Sequence, residues 1–363
     1  MHLSLEQVLS GIRPVEQAWR VKARKRLDDL AIPHNSLGDL LDLAEQLAAI
    51  NESMTPSVAK KMVVTMAGDH GVAAEGVSAF PQEVTRQMVN NFVAGGAAIN
   101  VLAETAGAGV TVVDMGVAVD LSVLVEQKKI LSYKVGYGTQ NMAKGPAMTR
   151  EQAVQGLEAG IEIAGLLVKS GIELLGTGDM GIGNTTPSSA ILAVFSGRSP
   201  RQVTGRGTGI NDSALDNKVQ VIEKAIALNK PDPKDALDVL SKVGGFEIAG
   251  IAGLILGAAY YRIPVVVDGL ISSAGALVAK NLAPNAIDYM IAAHQSMEPG
   301  HQYMLEELGL KPLLDLNLRL GEGTGAALAM HIVETASRVI YKMLTFTDAG
   351  VTEPENTGGM ANA

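Results

Sequence analysis

The sequence predicts an α/β protein in which a parallel sheet carries helices on both faces. Two observations support this class: short apolar runs alternate with stretches of helical periodicity, and these runs end in glycine beside aspartate or histidine, as in Gly68-Asp69-His70 and Asp268-Gly269. The composition agrees, because 47% of the 363 residues are hydrophobic and 18% are charged, which excludes a disordered chain. Parallel strands connected through helices bind their ligands at their carboxyl ends.

The apolar runs predict strands, and the periodic stretches between them predict helices. The strands are expected at 62–67, 110–113, 172–175, 265–267 and 286–291, and the helices at 85–103, 150–170, 212–229, 246–261, 272–281 and 326–340. The first sixty or so residues are also expected to be helical, with Ser36 as the N-cap of a second helix after the break at Pro33. Several strand ends carry glycine beside aspartate or histidine, which favours one composite site, although both are also common turn residues.

Composition excludes several classes of function. The net charge of −9, from 29 basic and 38 acidic residues, argues against a nucleic-acid partner. The absence of cysteine excludes disulfides, thiolate metal sites and a cysteine nucleophile. No signal peptide is evident at the start, and the longest apolar stretch, 248–261, is too short to span a membrane. We therefore expect a cytoplasmic protein.

The glycine-rich segment Gly176–Thr186 predicts a phosphate site. It follows the predicted strand at 172–175 and precedes a helix expected from Pro187, so its amides and the helix N-terminus would face a bound anion. Thr185 and Thr186 would cap that helix or donate hydroxyls to the anion. Asp179 lies in the same segment, and because its carboxylate would repel a phosphate we expect it to face another part of the ligand.

The segment that follows the first strand, 68–103, offers no metal site by its spacing. It contains a single histidine, and its acidic residues match no histidine-based ligand motif, so no metal is expected. We expect this segment to fold over the site and to present Ser78, Ala79 and Phe80 to an aromatic ligand, with Gln87 bonding a ring nitrogen. Core packing is the alternative for Phe80.

Two further glycine-containing segments precede predicted helices. The segment 205–210 lacks the last glycine and the acidic residue of a dinucleotide fingerprint, and Lys218 on the next helix either reaches a phosphate or carboxylate or is simply solvated. After the strand at 265–267, Ser272 or Ser273 is expected to cap a helix and to be near the ligand.

Glu322 is a candidate for a general base. It stands between Gly321 and Gly323, after an apolar alternation and before a long apolar helix. Burial among apolar residues raises the pKa of a carboxyl group, which suits a base that works near neutral pH. A capping role in the first turn of the helix is the competing interpretation.

These motifs, taken together, resemble the nicotinate-nucleotide–dimethylbenzimidazole phosphoribosyltransferase family. The resemblance runs nearly from end to end and keeps the order of its blocks. The blocks are 33–38, 68–85, 176–191, 205–210 followed by Lys218, 244–253, 265–277, 293–301 and 318–329.

The resemblance implies a larger Rossmann-like α/β domain at 61–304 and a smaller helical domain built from 1–60 and 305–363, in a homodimer without cofactor. It implies that Glu322 is the catalytic base and Asp179 a second active-site carboxylate, at a position that we associate with glutamate. The residues implied for binding are Gly181, Gly183, Asn184, Thr185, Thr186 and Lys218 for the phosphate, and Ser78, Phe80, Gln87 and Leu320 for the aromatic base.

The implied reaction transfers the phosphoribosyl group of nicotinate mononucleotide to 5,6-dimethylbenzimidazole or a similar base, for assembly of the cobamide nucleotide loop. Two alternatives stay open. One is an oxidoreductase that uses a nicotinamide dinucleotide, which the missing fingerprint disfavours. The other is a nucleotide-binding regulator without catalytic activity.

Overall fold

The computed structural model describes residues 3–353, which form two compact units. The larger unit comprises the described part of Met1–Pro14 together with Ala59–His331, and the smaller comprises Val15–Val58 with the described part of Ile332–Ala363. These units differ from the predicted division in placing 1–14 and 305–331 with the α/β part. The reason is packing: the Leu5 amide donates to Glu158 Oε1 at 3.0 Å, and Ala326 and Met330 lie against Gly176 of the sheet. Residues 354–363 of the predicted small domain lie outside the described residues.

A parallel sheet forms the centre of the larger unit and confirms the predicted α/β class. Its strands are β1 (Lys61–Gly68), β2 (Ala108–Gly116), β3 (Leu131–Ser132), β4 (Leu174–Met180), β5 (Val265–Val267) and β6 (Met290–Ala292). Their order is β3-β2-β1-β4-β5-β6, and every pair is parallel. The strand order reverses between β1 and β4, which is where a doubly wound sheet opens a crevice for ligand.

Helices surround this sheet and build the smaller unit. They are α1 (Leu5–Gly11), α2 (Gln17–Asp28), α3 (Asp39–Asn51), α4 (Val84–Ala94), α5 (Ala98–Thr105), α6 (Ser122–Glu126), α7 (Arg150–Lys169), α8 (Thr185–Ser196), α9 (Pro200–Val203), α10 (Asp212–Asn229), α11 (Ala236–Val243), α12 (Phe246–Tyr261), α13 (Leu270–Leu282), α14 (Pro299–Leu308), α15 (Thr324–Lys342) and α16 (Phe346–Ala349), with 3₁₀ turns at Gly71–Glu75 and Pro284–Tyr289. Helix α12 is buried from Phe246 to Ala259 and packs on α7 and α13. None of the helices within residues 3–353 is both long and apolar enough to cross a bilayer.

Two of the predicted secondary-structure elements, a helix and a strand, were wrong. The predicted helix 85–103 is two helices, because Gly95 adopts φ +78° and its amide returns to the Phe92 carbonyl, which ends α4. The predicted strand 286–291 is mostly a 3₁₀ turn, since Pro284 favours a helical start and Ala286 and Tyr289 bury one face of that turn. Only β6 follows it.

Two predicted helix caps also lie elsewhere. The N-cap of α3 is Gly38 rather than Ser36. Helix α13 begins at Leu270 after Gly269, so Ser272 and Ser273 lie inside it and are buried. The reason is that the turn after β5 is shorter than the sequence suggested.

The smaller unit is held by ion pairs between α2 and α3 and by a strand-like bridge. Arg24 bonds Asp42 Oδ1 at 2.5 Å and Glu45 Oε2 at 2.9 Å. Leu30 and Thr345 form an isolated antiparallel bridge. These contacts tie the helical segments before and after the α/β part of the chain.

Candidate active site

A cavity of about 660 Å³ lies in the larger unit at the carboxyl ends of the strands. Its wall combines apolar and polar side chains. The apolar lining includes Phe80, Val84, Met88, Leu318 and Leu320, and the polar lining includes Asp179, Asn184, Thr185, His294, Ser296, Glu298 and Glu322. A concave site with a few converging polar groups is typical of small-molecule binding.

Glu322 sits on this wall in an unusual turn. Gly321, Glu322 and Gly323 adopt φ values of +88°, +64° and +96°, so a non-glycine residue is held in the left-handed region between two glycines. The side chain is only 5% exposed, and its Oε2 accepts a hydrogen bond from the Ile99 amide of α5 at 3.2 Å. The carboxylate therefore points away from α15, which disfavours the capping interpretation.

Burial raises the pKa of Glu322, and the neighbouring carboxylate of Asp268 raises it further, against the hydrogen bond from Ile99. Asp268 takes over the capping role, because Oδ1 accepts from the Ala326 amide of α15 at 2.9 Å and Oδ2 from the Gly323 amide at 3.2 Å. The arrangement gives Glu322 a proton affinity above that of an ordinary glutamate, which suits a base near neutral pH.

The turn of Glu322 lies directly against Gly178 of β4. A Cβ on Gly178 would stand 2.3 Å from the Glu322 carbonyl oxygen and 2.7 Å from its carbonyl carbon. We expect Gly178→Ala to displace this turn and to lower the free energy of unfolding by about 1–3 kcal/mol, as overpacking does. Thermal unfolding and a ligand-binding assay check this. Gly145→Ala is the control, since a Cβ there meets nothing within 4 Å; equal effects of both changes would contradict the prediction.

The glycine-rich segment is partly strand, which corrects the prediction of a loop from Gly176 to Thr186. Strand β4 continues to Met180 because β1 pairs with it up to Ala67, so the loop contains only 181–184 and α8 begins at Thr185. Asp179 therefore lies near the end of a buried strand. Its Oδ2 accepts from Asn184 Nδ2 at 2.9 Å.

Burial raises the pKa of Asp179 well above its usual value, and the negative charges of Asp268, Glu247 and Glu322 add to this. Carboxyl groups are thus concentrated at the strand ends. None of the groups that shift the pKa of Asp179 is a side-chain cation. Such an arrangement favours a ligand that brings positive charge of its own.

Only some of the residues predicted to bind the phosphate line the cavity. Gly181, Asn184 and Thr185 line the cavity, whereas Gly183 and Thr186 are not part of its described lining. The amides of Ile182, Asn184 and Thr186 already donate within the protein, to Thr85 Oγ1, Gly181 O and Gly183 O. A full ring of amides is therefore not free for an anion, and the start of α8 is the part that faces the cavity.

Lys218 reaches this region from α10. It is fully buried, and its Nζ donates to Thr185 Oγ1 at 2.7 Å and to Gly205 O at 3.2 Å. Burial lowers its pKa to about 8, against the charge of Glu298. Lys218 therefore stands directly behind a cavity residue and is not the solvated lysine of the alternative interpretation.

The aromatic-base candidates divide into two pairs. Phe80 and Leu320 line the cavity and are 53% and 58% exposed, so core packing does not account for Phe80. Ser78 lies outside the described lining, and its Oγ is 3.2 Å from Oγ1 of the lining residue Thr208. Gln87 is exposed and lies outside the described lining.

Helix α4 contributes other residues than the one predicted. Val84 and Met88 line the cavity, which fits a helix that presents every fourth residue to one side. The helical spacing of these two apolar residues was the signal that could have identified them. Glu298, which accepts from the Gly207 amide at 2.8 Å, was also missed, although it follows the strand-end segment that contains His294.

His70, which follows β1, forms a buried pair with Glu247 of α12. His70 Nε2 and Glu247 Oε1 are 2.7 Å apart, and both side chains are almost fully buried. Burial alone would lower the pKa of His70, but the carboxylate of Glu247 holds it above its usual value. Within residues 3–353 no group of three or more histidine and acidic side chains is arranged to hold a metal ion.

Comparisons with known proteins agree on one family. The family model DBI_PRT, described as a phosphoribosyltransferase, matches residues 12–351. The nicotinate-nucleotide–dimethylbenzimidazole phosphoribosyltransferase of Syntrophotalea carbinolica is 58% identical over 96% of this chain and 99% of its own. The protein of the same name from Geobacter metallireducens is 57% identical over 96% of this chain and 98% of its own. The crystal structure of CobT from Thermus thermophilus superposes with a TM-score of 0.89 at 46% identity, covering 93% of this chain and all of that one.

The matched region contains the whole cavity wall, from Phe80 to Glu322. The similarity also covers both compact units rather than the sheet alone, so a shared common fold does not explain it. The chain belongs to the nicotinate-nucleotide–dimethylbenzimidazole phosphoribosyltransferase family.

Proposed function

We propose that this protein transfers the phosphoribosyl group of nicotinate mononucleotide to 5,6-dimethylbenzimidazole or a similar aromatic base. The products are α-ribazole 5′-phosphate and nicotinate, and the reaction serves assembly of the cobamide nucleotide loop. Among the observations, the buried carboxylate of Glu322 on the cavity wall carries the proposal, because it supplies the one proton acceptor that this chemistry requires. Membership of the family supports the choice of substrates.

The reaction requires few catalytic groups from the protein. Nicotinate in the mononucleotide is a pyridinium, so the electrons of the bond to C1′ return to the ring nitrogen and the ring leaves without protonation. A general acid, which ordinary glycoside cleavage uses, is therefore unnecessary. The unprotonated nitrogen of the benzimidazole attacks C1′ from the opposite face, which inverts the β anomer to α, and Glu322 accepts the proton from the other nitrogen. No cofactor enters this scheme.

Asp179 supports the same step electrostatically. Its carboxylate, ionised beside the pyridinium ring of the nucleotide, offsets the positive charge that develops on the ribose. The raised pKa of Asp179 in the free protein is consistent with this role, because a site with several carboxyl groups is stabilised by a positively charged ring placed next to them. Asn184 orients the carboxylate by its hydrogen bond at 2.9 Å.

The 5′-phosphate fits the start of α8. Thr185, Lys218 behind it and the Gly207–Thr208 segment across from it supply a hydroxyl, a cation and backbone at one end of the cavity. The positive end of the α8 dipole adds to them. The aromatic base then packs against the apolar part of the lining, which includes Phe80, Met88 and Leu320.

The pKa of Lys218 gives a pH prediction. Because burial lowers it to about 8, the ammonium that binds phosphate is lost as the pH rises through that value. We expect kcat/KM for the nucleotide to fall above about pH 8, and to fall below the raised pKa of Glu322 on the acid side. In Lys218→Met the alkaline fall should disappear and kcat/KM at pH 7 should drop about tenfold or more, as for a lost charged hydrogen bond. An alkaline limb that persists in the variant would exclude Lys218.

The proposed function is tested by its products. Nicotinate mononucleotide is incubated with and without dimethylbenzimidazole, and nicotinate and α-ribazole 5′-phosphate are quantified by chromatography. Release of nicotinate only in the presence of the base supports transfer. If neither incubation releases nicotinate, the result favours the nucleotide-binding regulator. Competition among benzimidazole, dimethylbenzimidazole, adenine and a phenol would then identify the preferred acceptor.

The strand order is one that dinucleotide-binding enzymes share, so the oxidoreductase alternative has a direct test. The turn after β1, Gly68-Asp69-His70-Gly71, lacks the glycine fingerprint, and its histidine is paired with Glu247. Absence of an NADH fluorescence change on titration would exclude this alternative.

A homodimer and a cytoplasmic location stay predictions. The mass in solution, measured by light scattering at micromolar concentration, tests the dimer against the 37.8 kDa of one chain. Fractionation of the native cells tests the location.

A further inference from the structure

Three separate elements hold the turn that carries Glu322. Thr65 Oγ1 on β1 donates to the Glu322 carbonyl oxygen at 2.9 Å, and the Ile99 amide at the start of α5 donates to Glu322 Oε2 at 3.2 Å. Asp268, directly after β5, accepts from the amides of Gly323 and Ala326 on the other side of the turn. Of these three anchors only Asp268 carries a charge.

Asp268 contacts the turn that carries Glu322 and does not line the cavity. It is 1% exposed and is not part of the described lining, whereas Glu322 is. Its two oxygens cap both the residue after Glu322 and the first turn of α15, and Oδ1 lies 3.7 Å from His294 Nε2. A carboxylate at this place favours the left-handed conformation of Glu322 by satisfying the amides that follow it.

We propose that Asp268 is a positioning residue for the transfer reaction: it fixes the Gly321–Gly323 turn so that the Glu322 carboxylate faces the cavity, and its carboxylate supplies a negative charge on the far side of that turn. This rests on the proposed function, in which Glu322 is the base. Asp268 itself touches neither substrate nor reacting atoms in this proposal.

The charges around Glu322 come from three elements. Asp268 faces it from the end of β5 and Asp179 from β4, while the Ile99 amide at the N-terminus of α5 opposes them. Burial raises the pKa of Asp268 to about 6, against His294 and the amides that it caps. Because the carboxylate of Asp268 raises the pKa of Glu322, ionisation of Asp268 should be visible at Glu322.

A titration followed at Glu322 tests the proposal without relying on turnover. The protein is labelled with ¹³C at the glutamate carboxyl carbons, and the Glu322 resonance is assigned by its absence from Glu322→Gln. We expect two inflections in the wild type, one of them near pH 6 from Asp268. In Asp268→Asn the inflection near pH 6 should vanish, and Glu322 should titrate at lower pH. A single inflection in the wild type overturns the proposal even if the variant does not fold.

Kinetics separate positioning from a merely structural role. In Asp268→Asn we expect kcat to fall about tenfold or more, and the acid limb of the pH profile to move to lower pH with the pKa of Glu322. The matched control is Thr65→Val, which removes a hydrogen bond to the same turn without changing charge, so the Glu322 titration should keep its wild-type pKa. A fall in kcat with an unmoved acid limb in Asp268→Asn overturns the proposal. If Glu322→Gln keeps its turnover, the base role fails, while the titration still reports whether Asp268 acts on Glu322.

Discussion

Glu322→Gln is expected to lower kcat by at least about 100-fold, the lower range of what a positioned general base contributes. The side-chain amide keeps the length of glutamate, and its oxygen can still accept from the Ile99 amide. The substitution therefore removes the proton acceptor and leaves the turn in place. Because Glu322 touches the acceptor rather than the nucleotide in the proposed scheme, KM for the nucleotide should change little.

The pH profile adds a second readout. In the wild type, kcat/KM should fall as the pH drops through the raised pKa of Glu322, because only the ionised carboxylate accepts a proton. The residual activity of Glu322→Gln should lack this acid limb. Glu104→Gln, an exposed position on the helix whose first turn binds Glu322, is the control for the loss of one negative charge. Turnover within a few-fold of the wild type would rule out Glu322 as the base.

Asp179→Asn is expected to lower kcat/KM by about 100- to 1,000-fold, the effect of removing one preorganised electrostatic group. The buried carboxyl has a pKa well above its usual value in the free protein, and the cationic pyridinium of the nucleotide favours its ionised form. Binding of nicotinate mononucleotide should therefore release protons at neutral pH. Calorimetry in two buffers of different ionisation enthalpy measures this release.

The variant and two controls make the test specific. Asp179→Asn should abolish the proton release, and ribose 5-phosphate, which lacks the cationic ring, should release none from the wild type. Asp179→Glu keeps the charge on a side chain one methylene longer, so its loss of kcat/KM should be smaller than that of the asparagine variant. Equal proton release by the wild type and Asp179→Asn would show that another group ionises on binding.

Local sequence patterns correctly predicted those helices whose conformation depends mainly on their own residues. The bounds 212–229 and 246–261 agree with α10 and α12, since each helix is an uninterrupted periodic or apolar stretch that ends at a residue in the left-handed region. The site residues that depend on a single local turn, such as Glu322 between two glycines, were also found on the cavity wall. Gln87 was expected to face the ligand, but α4 turns Val84 and Met88 to the cavity instead.

The glycine-rich segment shows the limit of such patterns. Its glycines suggested a loop that binds an anion, but Gly176 and Gly178 belong to a central strand, where α15 and the Glu322 turn approach the backbone too closely for a side chain. Glycine permits both a loop and a close approach, so the local sequence could not distinguish them. The neighbours that decide between them come from a distant part of the chain.

The sequence by itself determined the alternation of strands and helices, the acidic and cysteine-free character of the chain, and the motifs that identify its family. Only the tertiary structure decided which groups surround the proposed base, because Ile99 and Thr65 lie 223 and 257 positions away from Glu322. The order of the strands, with β4 between β1 and β5, brings Asp179, Asp268 and Glu322 together. Electrostatic interactions and burial depend on distances in space, and the pattern of neighbouring residues in the sequence does not give those distances.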